Sequence, residues 1–500
     1  MYIAFLNPQG NFDAYDRYWT EHPDFGGQLV YVKQVARALA ARGHQVDILT
    51  RQIADPAWPE FADRLDAYPA SSVRIVRLSA GPPEFLPKEA LWPHLVRDWV
   101  PHILAFYREM GAIPDIFTAH YGDGGLCAVL LEEATAIPFT FTGHSLGAQK
   151  LDKLHATRAN LAALDARYHF AARFMAERLS MNRSAVNITS TAQERFEQYG
   201  HVVYRGAVDV HNAARFAVIP PGVDLTIFGS NAVAADEAAT HAHIRAMLAR
   251  DIAAHRRALP AIIASGRLDP KKNHLGLLQA FAESPPLQER VNLIIFSSAL
   301  PHAARDIADV APAAQEVLAP LRALIAAHHL EGKVSLFAVG GQTALAAAYR
   351  FFAARPGSVF ALPAWYEPFG LAPLEAAAAG LPVVVTQNGG PSESFREGGV
   401  EYGVLVDPAA PADIARGLLR LVADATTWQQ FARAGQQRVL DRYTWERTAQ
   451  RYETQFAAIV SGPVRHTSLL PIPPCFRPVT AEQSPPLEEL QALYFAESAP

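Results

Sequence analysis

SGRLDPKKNH, Ser265 to His274, follows the apolar run AIIAS and supplies two cations, Arg267 and Lys272, where a strand-like pattern gives way to a helical one. Further along, WYEPFGLAPLEAAAAG, Trp365 to Gly380, places Glu367 and Glu375 with seven residues between them, and a Phe369-Gly370 turn opens a helix in that gap. Two cations suit a diphosphate, and a helix N-terminus adds backbone donors and a favourable dipole for the same anion. Carboxylates on either side of the helix start can accept hydrogen bonds from sugar hydroxyls. The pair of segments reads as a nucleotide-sugar site at two strand-to-helix junctions.

Outward from these segments, strands alternate with helices. The runs YIAFL, HQVDILT, VRIVRL, DIFTAH, PFTFTGH, AVNITS and FAVIPPG punctuate the first 222 residues, separated mostly by helical patterns such as LVYVKQVARALAARG. After Ile219-Pro220-Pro221-Gly222 comes an alanine-rich, charged helical insert, and then a second series: AIIASG, NLIIFS, KVSLFA, SVFALP, PVVVT and GVLVD. Such alternation is the signature of parallel sheets with crossover helices. Two series with a Pro/Gly junction imply an α/β protein of two Rossmann-like, doubly wound domains, residues 1–222 and 223–460, with a cleft between them. Residues 461–500 are proline-rich, with only LEELQALYFAE suggesting helix, and are expected to lack fixed structure.

The bounds agree with this division. A chain of 500 residues, half of them apolar, is long enough for two cores. A formal net charge of -5 gives no global attraction to nucleic acid or acidic membrane, so local basic positions must carry anion binding. Two cysteines, Cys127 and Cys475, imply neither a disulfide framework nor a metal cluster. MYIAFLNPQG reads as a first strand and not as a signal peptide, and no apolar run approaches the ~20 residues of a membrane span, so a cytoplasmic location is expected.

The first domain offers weaker signals. Asp24-Phe25-Gly26-Gly27-Gln28 stands before a helical pattern, where glycines permit positive φ and close approach to a phosphate. Alone, it reads as a tight turn. Lys88, Tyr121, Ser145, Lys150 and Arg173 are cations and hydroxyls spread along the domain, and each alone reads as a solvated side chain. His144 follows PFTFTG at a strand end, where doubly wound folds place their ligands.

The R-x4-K and E-x7-E elements resemble the donor site of retaining glycosyltransferases of family 4, which have the GT-B fold. NPQGNFDAYDRYWTEHPDFGGQLVYVKQVARAL, EFLPKEALWPHL, AHYGDGGL, FTGHSLGAQKLDKL and DARYHFAARFMAERLSM narrow the resemblance to the sucrose synthase and sucrose-phosphate synthase branch, over approximately residues 1–460. By that resemblance Arg267, Lys272, Gly27 and the amides of Phe369, Gly370 and Leu371 hold the donor diphosphate. Glu367 then holds hexose hydroxyls and Glu375 the ribose. Gln28, Lys88, Tyr121, Ser145, Lys150 and Arg173 surround fructose 6-phosphate. His144 fixes the hexose without serving as a general base, and the catalytic set is His144, Arg267, Lys272 and Glu367.

The implied reaction is UDP-glucose plus fructose 6-phosphate giving sucrose 6-phosphate and UDP. No D-x-D triplet occurs in the sequence. The chemistry is therefore read as needing no metal or other cofactor, with magnesium admitted as an activator. Partners are small molecules, with neither nucleic acid nor membrane, and a sucrose-phosphate phosphatase as functional associate. Ser297-Ser298-Ala299-Leu300 stands where the family shows an arginine-glycine turn, which leaves ADP-glucose and GDP-mannose open as donors. The alternatives are a sucrose synthase using free fructose, a mannosylfructose-phosphate synthase using GDP-mannose, and a non-enzymatic sugar-phosphate sensor.

Overall fold

In the computed structural model, residues 1–9, 12–16, 27–234, 236–296, 312–462, 468–480 and 485–496 are described. Among them the first half of the chain forms β1 (Tyr2–Leu6), β2 (Gln45–Arg51), β3 (Leu65–Ala67), β4 (Val73–Leu78), β5 (Ile116–His120), β6 (Phe139–Thr142), β7 (Val186–Thr189) and β8 (Phe216–Val218). They make one sheet in the order β3-β4-β2-β1-β5-β6-β7-β8. Every pairing is parallel except that of β3 with β4. β1, β5, β6 and β7 are buried along their whole length, because helices cover both faces of a parallel sheet. The short antiparallel β3 was not evident in the sequence, since its residues Leu-Asp-Ala carry no apolar run.

The second sheet runs β11-β10-β9-β12-β13-β16. Its strands are β9 (Ala261–Ser265), β10 (Asn292–Phe296), β11 (Val334–Phe337), β12 (Val359–Leu362), β13 (Val383–Thr386) and β16 (Val404–Val406), all paired in parallel. Between β13 and β16 a small antiparallel hairpin joins β14 (Arg396–Glu397) to β15 (Val400–Glu401). Compactness divides the chain into residues 1–220 with 448–500, and residues 221–447. The helix Trp445–Ser461 thus begins in the second unit and passes into the first, where Tyr452 shares a hydrogen bond with Tyr31 at 2.9 Å and Thr448 Oγ1 donates to the Pro220 carbonyl at 2.8 Å.

Both sheets reverse strand order at one point, β1/β5 in the first and β9/β12 in the second. In open α/β sheets ligands bind outside the carboxyl ends of the strands at such a switch point. Arg267 follows β9, Glu367 follows β12, Gln9 follows β1, and Tyr121 follows β5. The topology therefore places charged and polar segments at the two positions where the fold leaves a crevice.

The expectation of a structureless tail is corrected. Residues 468–480 and 485–496 are ordered against the first unit, with Ile472, Cys475, Phe476 and Leu490 in its hydrophobic core. Short 3-10 turns at Pro474–Phe476 and Pro478–Thr480 and a helix at Leu487–Tyr494 carry these anchors. The prolines set up turns that present apolar side chains to the core. Cys127 and Cys475 are both buried and unbridged. No helix among the described residues is long and apolar enough to cross a membrane.

Candidate active site

In the second unit, β9 ends at Ser265 and Gly266 turns the chain with φ +153°. Asp269 then caps a 3-10 turn, Pro270–Lys272, by accepting from the Lys271 amide at 2.9 Å. Asn273 follows in the left-handed region (φ 55°) and caps the helix His274–Ala282 by accepting from the Gly276 amide at 3.2 Å. Its amide nitrogen also donates to the carbonyls of Pro363 at 3.0 Å and Pro408 at 2.9 Å. Asn273 therefore ties the Lys272 turn to the segment after β12. Sequence reading passed over it, although an Asn directly before an apolar helical pattern is a recognisable cap signal.

Lys272 Nζ donates to Glu367 Oε2 at 2.7 Å. The turn bearing Glu367 is fixed by its backbone: its amide donates to Asn388 O at 3.2 Å, and its carbonyl accepts from the Gly390 amide at 2.9 Å. A Cβ on Gly389 (φ +94°) would sit 2.2 Å from that carbonyl, so only glycine lets the two segments meet. Gly370, at φ +91°, opens the helix Leu371–Ala378, and among the described residues no side chain caps its amides. Glu375 is held one turn in, where burial pushes its carboxyl up to about 7. Arg267 is exposed, and the His274 ring seven positions on is buried. The arrangement leaves cations, helix amides and two carboxylates at one switch point. Ser297-Ser298-Ala299-Leu300 lies outside the described residues.

In the first unit, Gln9, Lys88, Glu89, Trp92, Tyr121, Gly122, Asp123, Tyr168 and Arg173 line one cavity open to solvent. Three of the six residues expected around the acceptor, Lys88, Tyr121 and Arg173, are among them. Arg173 is locked in place: Nε donates to Glu177 Oε1 at 2.8 Å and Nη2 to the Ser145 carbonyl. Glu177 is fully buried and also accepts from the Gly147 amide at 2.9 Å and from the Tyr204 hydroxyl. Ser145 meets this network through its backbone, and its side chain is exposed. Lys150 stands beside the cavity, 4.1 Å above the Tyr168 ring and 3.8 Å from Glu89 Oε1.

Gln28 donates to Asn7 Oδ1 at the end of β1. Gly27 is the first residue of the helix Gly27–Ala41, lacks positive φ, and has open space where a Cβ would lie. The positive φ that a glycine permits is therefore not used at Gly27. Asp24-Phe25-Gly26 lies outside the described residues.

His144 (φ 54°) packs against His120, Tyr31 and Tyr121, with ring centroids at 5.0, 5.0 and 5.5 Å. Its Nε2 lies 2.8 Å from His120 Nδ1. Burial holds the His144 ring down to about 3 and keeps it neutral. A neutral imidazole shared with a second one can orient a hydroxyl but is a poor proton acceptor.

Asp123, Gln9 and Glu89 were missed as cavity residues. Asp123 accepts from Gln9 Nε2 and from the Gly124 amide at 2.8 Å, and burial pushes its carboxyl up to about 6 against the pull of those donors and of Arg173 and Lys88. It was visible in AHYGDGGL, but nothing in the spacing says that its side chain turns inward.

Two doubly wound units, each with polar and charged groups gathered at its switch point, define a GT-B glycosyltransferase, and the enzyme is a hexosyltransferase. Residues 25–227 match the family model "Glycosyltransferase Family 4" and residues 249–438 match "Glycosyl transferases group 1". A probable sucrose-phosphate synthase of Thermosipho melanesiensis is 39% identical over 90% of this chain and 95% of its own length. The chain therefore belongs to the sucrose-phosphate synthase family and acts in sucrose synthesis. The sucrose-phosphate synthase of Zea mays is 32% identical over 91% of this chain, which spans 47% of that longer protein. The solved structure of a sucrose-phosphate synthase from Thermosynechococcus elongatus aligns with TM-score 0.62 and 26% identity, covering 91% of this chain and 99% of that one.

Proposed function

We propose that this enzyme transfers glucose from UDP-glucose to fructose 6-phosphate with retention at the anomeric carbon, giving sucrose 6-phosphate and UDP. The observation that carries this reading is the convergence of Lys88, Tyr121 and Arg173 on one cavity at the β1/β5 switch point. Two cations from separate elements, with Lys150 close by, suit a phosphate dianion that a single amine would hold poorly. Residues 1–220 are read as the acceptor half and residues 221–447 as the donor half.

On the donor side, Arg267, Lys272 and the amides of Phe369, Gly370 and Leu371 hold the diphosphate, with Gly27 as a further backbone contact. Glu367 accepts from hexose hydroxyls and Glu375 from the ribose. As the bond from C1 to the diphosphate oxygen breaks, the fructose C2 hydroxyl forms its new bond on the same face. Its proton passes to the departing phosphate oxygen, so no side chain need act as base. Arg267 and Lys272 stabilise the charge on the leaving UDP. Among the described residues no cluster of three or more His, Cys, Asp or Glu side chains is placed to hold a metal ion. Gln28 and Ser145 complete the acceptor contacts, and His144 orients the hexose. The phosphorylated product calls for a sucrose-phosphate phosphatase as functional partner.

The test is a steady-state comparison of fructose with fructose 6-phosphate as acceptors of glucose from UDP-glucose. Preference for the phosphorylated sugar supports the reading, and equal or better use of free fructose overturns it.

A further inference from the structure

The helix that carries Lys150, Gly147–Lys153, is seven residues long, too short to hold itself in water. Ala148 and Leu151 bury one side of it. Asp152 lies two positions from Lys150, which on an α-helix is roughly 200° around the axis. The two side chains therefore leave the helix on opposite faces, Lys150 toward Tyr168 and Glu89 and Asp152 toward the C-terminal segment.

Asp152 is held from that side. The Tyr494 hydroxyl donates to Asp152 Oδ1 at 2.6 Å, and His201 Nε2 lies 3.4 Å from Asp152 Oδ2. The His201 ring stacks on Tyr494 with centroids 6.1 Å apart. Next in the chain, the Phe495 ring receives the Arg158 guanidinium at 4.7 Å. Arg158 stands in the loop leading to the helix Leu161–Tyr168, which ends at the cavity-lining ring beneath Lys150. Leu490 fixes the C-terminal helix in the core. The segment thus grips the Lys150 helix and the loop behind Tyr168.

We infer that residues 487–495 are a brace that positions Lys150 and Tyr168 at the acceptor cavity, with Tyr494 and Phe495 as positioning residues for the phosphorylated acceptor; this rests on reading that cavity as the acceptor site. Neither residue lines the cavity. Their effect passes through Asp152 and Arg158.

The test uses the full chain with Tyr494→Phe and Phe495→Ala, measuring kinetics against both substrates and amide hydrogen exchange across residues 147–154. Loss of one hydrogen bond to a carboxylate is expected to raise KM for fructose 6-phosphate about tenfold. The kcat and the KM for UDP-glucose stay near those of the parent, and exchange across 147–154 quickens. An unchanged acceptor KM overturns the brace. So does a common loss of kcat, both KM values and melting temperature, which would mark simple packing. Should the parent enzyme ignore fructose 6-phosphate, the acceptor reading fails by itself. Exchange then decides the brace: faster exchange supports it, and unchanged exchange overturns it.

Discussion

Lys272 and Glu367, 95 positions apart in the chain, meet in an ion pair of 2.7 Å, with their side chains 25% and 13% exposed. Each comes from the loop after one of the two strands that flank the switch point, β9 and β12. The pair holds both side chains in fixed positions. Such partly enclosed pairs are costly to break on one side, because the remaining charge loses its partner.

Replacing Lys272 therefore has two effects, loss of a cation at the leaving group and an orphaned Glu367. Lys272→Ala should lower kcat/KM by about 10²–10³-fold, the scale of losing one donor to a developing anion. Lys272→Arg should not restore it, since a planar fork does not replace a point charge. Steady-state kinetics with UDP affinity by calorimetry checks this, and near-normal turnover in Lys272→Ala would remove the residue from the mechanism.

Glu375 gives a pH signature. Its carboxyl titrates near 7 when folded, above the ordinary 4.5. The folded state thus binds a proton more tightly than the unfolded one, and the stability this confers is present at low pH and lost as pH rises through 7. An ionised carboxylate is the better acceptor for ribose hydroxyls, so UDP affinity should rise from pH 6 to 8 more steeply in the parent than in Glu375→Gln. Identical pH slopes for the two proteins would separate Glu375 from the nucleotide.

Lys88 offers the cleanest acceptor test. Arg173→Ala would strand the buried Glu177 and cost about 3–5 kcal/mol of stability, confusing the result. Lys88→Ala should raise KM for fructose 6-phosphate by about 10–100-fold, the worth of a charge-assisted contact, while KM for UDP-glucose changes little. Equal weakening of both substrates would place Lys88 elsewhere.

His144 should prove a positioning group. With the ring held near 3, it does not titrate between pH 5 and 9. His144→Ala should lower kcat and leave the shape of its pH profile unchanged in that range. Loss of an ionisation near neutrality would make the ring a proton carrier after all.

The parallel strands of both sheets were legible because strands buried on both faces read as unbroken apolar runs, as in YIAFL and AIIAS. The placement of Arg267, Lys272 and Glu367 just after strand ends was legible because apolar runs precede them in the chain. Inward direction was not: Asp123 stands two residues after Tyr121 and only the helix start turns it into the cavity. The tail was misread because its core contacts, Ile472, Cys475 and Phe476, sit on proline turns without helical or strand period. Asn273 was overlooked because one residue serves both as cap and as cross-link.

The most direct measurement is product identification from the purified enzyme given UDP-glucose, ADP-glucose or GDP-mannose, each with fructose and with fructose 6-phosphate. Sucrose 6-phosphate from UDP-glucose, with free fructose inert, is the expected result. Turnover of free fructose would contradict the phosphate role of Lys88, Lys150 and Arg173. Product from GDP-mannose alone would contradict the donor, and silence in every combination would favour a sugar-phosphate sensor.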